Sequence, residues 1–178
     1  EERYFTPNGN LEVTDAIAEA VMRTVLKNAE ILKDDPENYD ARAEIMWAGS
    51  LSHNGLTGCG GVGDWACHGL EHELSALFDV AHGAGLAAVW PSWALYVYPS
   101  CLNRFVSFAL NVMQVAPGAT DEETALKGIE AMKQFYICIG MPVALKELGV
   151  EPTEEQMHFM AHQCAELSGG HRGQAKSL

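Results

Sequence analysis

Apolar residues recur every three or four positions through most of this chain, and no segment shows the strict alternation of a half-buried strand. Over 14–32, Ile17, Val21, Val25 (or Leu26) and Ala29 share one helical face, and Asp34-Asp35-Pro36 stops the run. A second helix is predicted from 39 or 40 to 52, ending at Asn54-Gly55. Residues 56–63 contain Thr57, Gly58, Cys59, Gly60, Gly61 and Gly63. No strand precedes them and no Gly-Lys-Ser/Thr follows, so they read as a flexible connector and not a phosphate loop. Asp64 is the predicted N-cap of the next helix. The stretch 83–97 reads as a buried helix with a bend or break at Pro91, and 101–115 as a helix apolar on nearly every side. Thr120-Asp121-Glu122-Glu123 is a capping box that opens a long helix closing at Gly140, before Pro142. A short helix over 143–148 ends at Gly149. A second capping box, Thr153-Glu154-Glu155-Gln156, starts a last helix running to about Leu167. With no strand and no internal repeat, the prediction is an all-α domain of seven or eight helices.

Length and charge narrow the picture. The 178 residues suffice for one helical domain with a sizeable core, spanning 1–178. A net charge of −13 argues against nucleic acid or an anionic membrane as partner, because no basic patch exists to meet phosphates. The longest apolar stretches, such as 86–98, contain Pro91 and fall short of a membrane span. No charged-then-apolar leader opens the chain, and it begins at Glu1 without a methionine, so the true N-terminus is expected upstream. Five cysteines, an odd number with no CxxC pair, suit reduced thiols and a cytoplasmic location.

The chemistry concentrates in 64–82, where three of the seven histidines (His68, His72, His82) stand beside four acids in an otherwise apolar stretch. His68 and His72 are four apart, so on a helix both rings leave one face a turn apart. His82 follows ten residues later, before the Gly83-Ala84-Gly85 step at which the chain is expected to turn back. Three imidazoles from two consecutive elements can converge on one ion. His72-Glu73 is followed by Leu74, Ser75 and Ala76, which breaks the His-Glu-x-x-His spacing of zinc peptidases. Imidazoles without paired thiolates suit Fe²⁺ or Zn²⁺. Spacing alone leaves open which two of the three rings would bind metal.

The same run, read as Asp64-Trp65-Ala66, His68, His72-Glu73-Leu74-Ser75-Ala76-Leu77, Asp79-Val80 and His82-Gly83-Ala84-Gly85-Leu86-Ala87, resembles the signature of the iron-containing alcohol dehydrogenases. The likeness is to the butanol-dehydrogenase-like branch. It extends upstream through Pro36-Glu37-Asn38-Tyr39-Asp40-Ala41-Arg42, Met46-Trp47-Ala48 and His53-Asn54-Gly55-Leu56. Downstream it continues through Pro91, Trp93, Tyr96, Asn103-Arg104-Phe105 and Asn111-Val112-Met113. It covers nearly the whole chain in order and spacing. The resemblance implies the helical metal-binding domain of the dehydroquinate synthase-like fold. It also implies hydride transfer between NAD(P)(H) and a primary alcohol or aldehyde, with a divalent ion as Lewis acid.

The family's paired ligands lie fourteen residues apart, which matches His68 and His82 and leaves His72 as proton relay or substrate-orienting group. The family's other two ligands, in an Asp-x-x-x-His step, are expected within about six residues upstream of Glu1. A nucleotide-binding half is expected further upstream. Gly169-Gly170-His171-Arg172-Gly173 and Lys176-Ser177-Leu178 look like the lead-in to a further helix. The assembly open to the full-length protein is a homodimer. A stand-alone helical metal-binding or interaction module is the competing reading, and the sequence upstream of Glu1 decides between the two.

Other features weigh less. His53 and Asn54 suit a helix C-terminus as well as a cleft wall. Trp65, Trp90 and Trp93 fit either a pocket wall or core. Cys67 reads as a buried thiol, and His158 and His162 as an exposed face without acids in register.

Overall fold

A computed structural model of the protein describes residues 2–6, 9–166, 169–170 and 172–176. Glu1, the expected helix end Leu167, and His171, Ser177 and Leu178 of the C-terminal segment lie outside the described residues. Seven α-helices are described, with no strand among the described residues, which bears out the all-α expectation.

The helix α1 (Glu12–Asp34) packs along α2 (Tyr39–His53). Next, α3 (Ala66–Phe78) packs on α4 (His82–Val97) and on α7 (Glu154–Glu166). The short α5 (Leu102–Ser107) runs straight into a π-helical turn (Phe108–Val112), and both lie against α6 (Asp121–Cys138). Sequence-encoded stops and starts act as predicted at several points. The Thr120 hydroxyl accepts the Glu123 amide (3.1 Å), while Glu123 reaches back to the Ala119 amide (2.7 Å), one residue earlier than a standard box. Thr153 and Gln156 form the reciprocal pair, at 3.2 and 2.9 Å. Gly140 and Gly149 take φ of +77° and +75° after their helices, a conformation that other side chains resist.

The structure departs from the sequence reading in six places. The connector contains a short 3₁₀ turn, Leu56–Gly58. Residues 143–148 form only a 3₁₀ turn, Leu145–Leu148. Across Pro91, α4 is continuous, with Trp90 and Trp93 anchoring that turn in the core. The apolar helix expected over 101–115 is a single α turn and a half followed by the π turn, in which the Met113 amide reaches back to the Phe108 carbonyl (3.0 Å). Glu154 and Glu166 stand in register with the exposed His158 and His162, at 3.8 and 3.9 Å.

Asp64 is the sixth case. Trp65 stands between it and α3 in the left-handed region (φ 62°), so Asp64 Oδ1 takes only the Ala66 amide (3.0 Å). Its Oδ2 accepts the amides of Gln174 (2.6 Å) and Ala175 (2.7 Å). Capping of α3 passes instead to Glu2, whose carboxylate accepts the amides of Cys67 (2.5 Å) and His68 (3.3 Å).

The core that fixes this geometry is aromatic. Phe5, fully buried, stacks on Phe105 with ring centroids 4.3 Å apart and meets Trp90, Trp93 and Phe108 at 6.0, 5.8 and 5.0 Å. Arg104 clamps the same N-terminal segment. Its guanidinium donates to both Asp15 oxygens (2.6 and 2.7 Å) and to the Tyr4 carbonyl (2.7 Å), and lies 4.2 Å over the Tyr4 ring. Burial pulls the Arg104 pKa down, but the bond to Asp15 more than reverses this and leaves it raised. Phe5 and Arg104 thereby hold Glu2 at the start of α3.

Candidate metal centre

Helical spacing brings His68 and His72 onto one face of α3, with ring centroids 6.2 Å apart. His82 is the first residue of α4, and its ring lies 5.4 Å from that of His68 and 5.5 Å from that of His72. The chain turns back at Asp79–Ala81, with Asp79 at φ 52°, and not at the glycines, which lie inside α4. All three predicted site residues are therefore brought together.

Their surroundings divide them. His68 Nδ1 donates to Glu2 Oε2, and His82 Nδ1 donates to Glu71 Oε2. Both carboxylates are buried, Glu2 at 4% and Glu71 at 0% exposure. Glu71 Oε1 also accepts the hydroxyl of Ser75, which lies 3.1 Å from the Val80 carbonyl. An ionised carboxylate only accepts, so Nδ1 is the nitrogen that donates in each ring, and Nε2 is the nitrogen left to face an ion. His72 has ring contacts only and no hydrogen bond among the described residues. Ligand atoms of Glu71, His72 and His82 lie within 4.8 Å of one another.

A cleft of about 400 Å³ opens beside His68 and His82, lined also by the aromatic Tyr4 and Trp65 and the apolar Ala18, Val21 and Met22. Trp65 meets His68 edge-on at 5.2 Å, whereas Trp90 and Trp93 are core. His53 also lines the cleft, with its Nδ1 held by Ser52 Oγ (2.8 Å) and the Gly49 carbonyl (2.9 Å) of its own helix. Asn54 serves the local turn, accepting the Leu56 amide at 3.0 Å. Burial and the 2.6 Å bond to Glu19 push the Tyr4 pKa up, so it faces the cleft as a neutral phenol. The buried Cys67 and Cys101 stand outside this constellation; burial, and then the Asp64 charge, push the Cys101 thiol up to about 11.

Glu2 and Glu71 escape the reading of the sequence. Glu71 has a signal: it shares the buried face of α3 with Cys67 and Leu74, where an acid stands out among core residues. Glu2 has none in local periodicity, because its partner is 66 residues away. Two imidazoles that donate Nδ1 to buried carboxylates and leave Nε2 as the ligating nitrogen are suitable donors for Fe²⁺ or Zn²⁺.

Fold and histidine pattern together define a class, an α-helical domain that gathers three imidazoles at one candidate metal centre. Residues 1–173 match the family model described as Fe-containing alcohol dehydrogenase family, C-terminal. The chain is 36% identical over 178 residues to NADH-dependent butanol dehydrogenase A of Clostridium acetobutylicum, covering 99% of this chain and 45% of that protein. It is 32% identical over 150 residues to the NADPH-dependent aldehyde reductase YqhD of Escherichia coli, covering 84% and 38% respectively. The crystal structure of NADH-dependent butanol dehydrogenase A from Thermotoga maritima superposes with a TM-score of 0.88 at 38% identity, over 99% of this chain and 45% of that one. The chain belongs to the Fe-containing alcohol dehydrogenase family as its C-terminal domain, which bears out the resemblance and the fold it implies. It spans less than half the length of the curated relatives it matches. Among the described residues no helix is long and apolar enough to cross a membrane.

Proposed function

We propose that this chain is the metal- and substrate-binding part of an NAD(P)-dependent alcohol dehydrogenase or aldehyde reductase. His68 and His82 supply two ligands through Nε2, and His72 relays a proton or orients the substrate oxygen. The observation that carries this division is that the two proposed ligands, and not His72, donate Nδ1 to buried carboxylates. When bound, the ion supplies Lewis-acid polarisation of the substrate oxygen. The apolar residues Ala18, Val21 and Met22 take the alkyl chain, and Trp65 covers one edge of the His68 ring. His72, exposed and without a hydrogen-bonded partner among the described residues, is available to hold or pass the proton that accompanies hydride transfer.

Two further ligands and the nicotinamide site are assigned to chain outside residues 1–178. Glu2 already sits on His68, so an Asp-x-x-x-His step shortly before Glu1 would start from the edge of the site. Five cysteines without a disulfide suit a cytoplasmic protein. A second assignment of ligands has one observation behind it, the mutual proximity of Glu71, His72 and His82. It is disfavoured because both Glu71 oxygens are already engaged, by Ser75 and His82.

The test is metal content and turnover of the full-length protein with NAD(P) and a primary alcohol. His68→Ala and His82→Ala are expected to lose the ion. His72→Ala is expected to keep it and to lower turnover by about 10²–10⁴-fold, the usual worth of a positioned acid or base. Equal metal loss in all three variants would refute the division.

A further inference from the structure

We infer that Glu71 and Glu2 are positioning residues for metal binding, each fixing the tautomer and ring angle of one histidine, Glu71 for His82 and Glu2 for His68. This rests on the ligand assignment proposed above and goes beyond it. Among the described residues neither acid is ion-paired with a lysine or arginine, although both are buried. Glu71 is the more demanding case, a wholly buried carboxylate on an otherwise apolar helix face. Such a group is costly unless hydrogen-bonded, and its partners are Ser75 and His82. Ser75, one turn along α3, holds one oxygen and thereby aims the other at the start of α4. The fold also makes room for it. A Cβ at Gly85 would lie 2.8 Å from Glu71 Cγ and Oε1, so the carboxylate occupies space that only glycine leaves free.

Glu2 repeats the device from a different direction. Its Oε1 is tied to the Cys67 amide at 2.5 Å, and its Oε2 faces the backbone amide and Nδ1 of His68. The helix terminus and the imidazole are thus organised by one side chain, delivered by the N-terminal segment that Phe5 and Arg104 anchor. In both pairs the consequence is the same. An acceptor-only partner fixes the proton on Nδ1, raises the donor strength of Nε2, and stops ring rotation.

The experiment uses the full-length protein, stripped of metal, with Zn²⁺ affinity read by chelator competition and the ligand field read from the visible spectrum after Co²⁺ loading. Glu71→Met keeps volume but removes the acceptor. It is expected to bind Zn²⁺ about 10–100-fold more weakly and to shift the Co²⁺ bands. Glu71→Gln and Glu2→Gln keep an acceptor for Nδ1–H and are expected to show a smaller loss. These two carry the test should Glu71→Met fail to fold, as judged by its melting curve. Wild-type affinity and an unchanged Co²⁺ spectrum in the Glu71 variants, with metal lost in His82→Ala, would overturn this inference and leave the ligand assignment standing. Loss in Glu71→Gln as complete as in His82→Ala would also overturn it, by making Glu71 a ligand. Wild-type affinity in His82→Ala would bring down the ligand assignment itself.

Discussion

Substituting Gly85 by alanine probes the site without touching any proposed ligand. In isolation the change should help, since alanine in a helix is worth about 0.8–1 kcal/mol over glycine. Here the new Cβ would lie 2.8 Å from Glu71 Cγ and Oε1 and 3.2 Å from Cδ. Carbon atoms settle about 3.5–4.0 Å apart, so the carboxylate must retreat by roughly 1 Å. Glu71 is fully buried and has no water to retreat into. Overpacking of this kind costs about 1–3 kcal/mol, and a weakened hydrogen bond to a charged group about 1.5–3. The expected net loss is about 1.5–5 kcal/mol, with Zn²⁺ affinity down about 10–100-fold as His82 loses its anchor. Gly83 is the matched control, two residues away in the same helix with nothing within 4 Å of a built Cβ. Gly83→Ala should be neutral or gain up to about 1 kcal/mol, and keep its metal affinity. Thermal melts and chelator competition on both variants decide the matter. Gly85→Ala and Gly83→Ala behaving alike in both assays would refute the packing account of Glu71.

Other expectations follow from the same structure. Arg104→Lys should destabilise the protein by about 1.5–3 kcal/mol in denaturant titration, because lysine cannot reproduce the two-pronged bond to Asp15. Wild-type stability would show that the clamp is dispensable. In thiol alkylation of the folded protein at pH 8, mass spectrometry should find the exposed Cys59 and Cys138 labelled and the buried Cys67, Cys101 and Cys164 protected. Burial holds the pKa of Cys101 at about 11 and raises that of Cys164, so both are protonated at this pH; fast labelling of Cys101 would contradict its place in the core. Residues 1–178 alone should show no alcohol oxidation and weak metal affinity, yet keep their helical circular dichroism in chelator, since the aromatic core and the capping boxes at Thr120 and Thr153 form from side chains other than the histidines. Loss of helicity on chelation would make the ion structural.

The elements whose stops and starts are local were legible. The capping boxes at Thr120 and Thr153 and the left-handed glycines 140 and 149 act over four residues or fewer, and pattern suffices to see them. The convergence of His68 and His72 follows from helical spacing, but that of His82 depends on a turn at Asp79, four residues before the glycine step that the sequence suggests, because an aspartate takes the left-handed region there. The π turn at Phe108–Val112 leaves no mark in a segment apolar on every side, where any helical period fits. Asp64 has the local pattern of a cap, but the acid that caps α3 is Glu2, from across the fold. Of the two carboxylates behind the histidines, Glu2 is remote in sequence, and Glu71 is marked only by its place among the core residues of α3.

The most direct test of the central claim is a crystal structure of the full-length protein loaded with Zn²⁺, with anomalous difference density collected at the zinc edge. The account predicts a single peak about 2.0–2.1 Å from the Nε2 atoms of both His68 and His82. Glu2 and Glu71 should remain on the Nδ1 atoms, and His72 should stand beside the ion without touching it. A peak bound by His72 and the Glu71 carboxylate, with the His68 ring turned away, would contradict it.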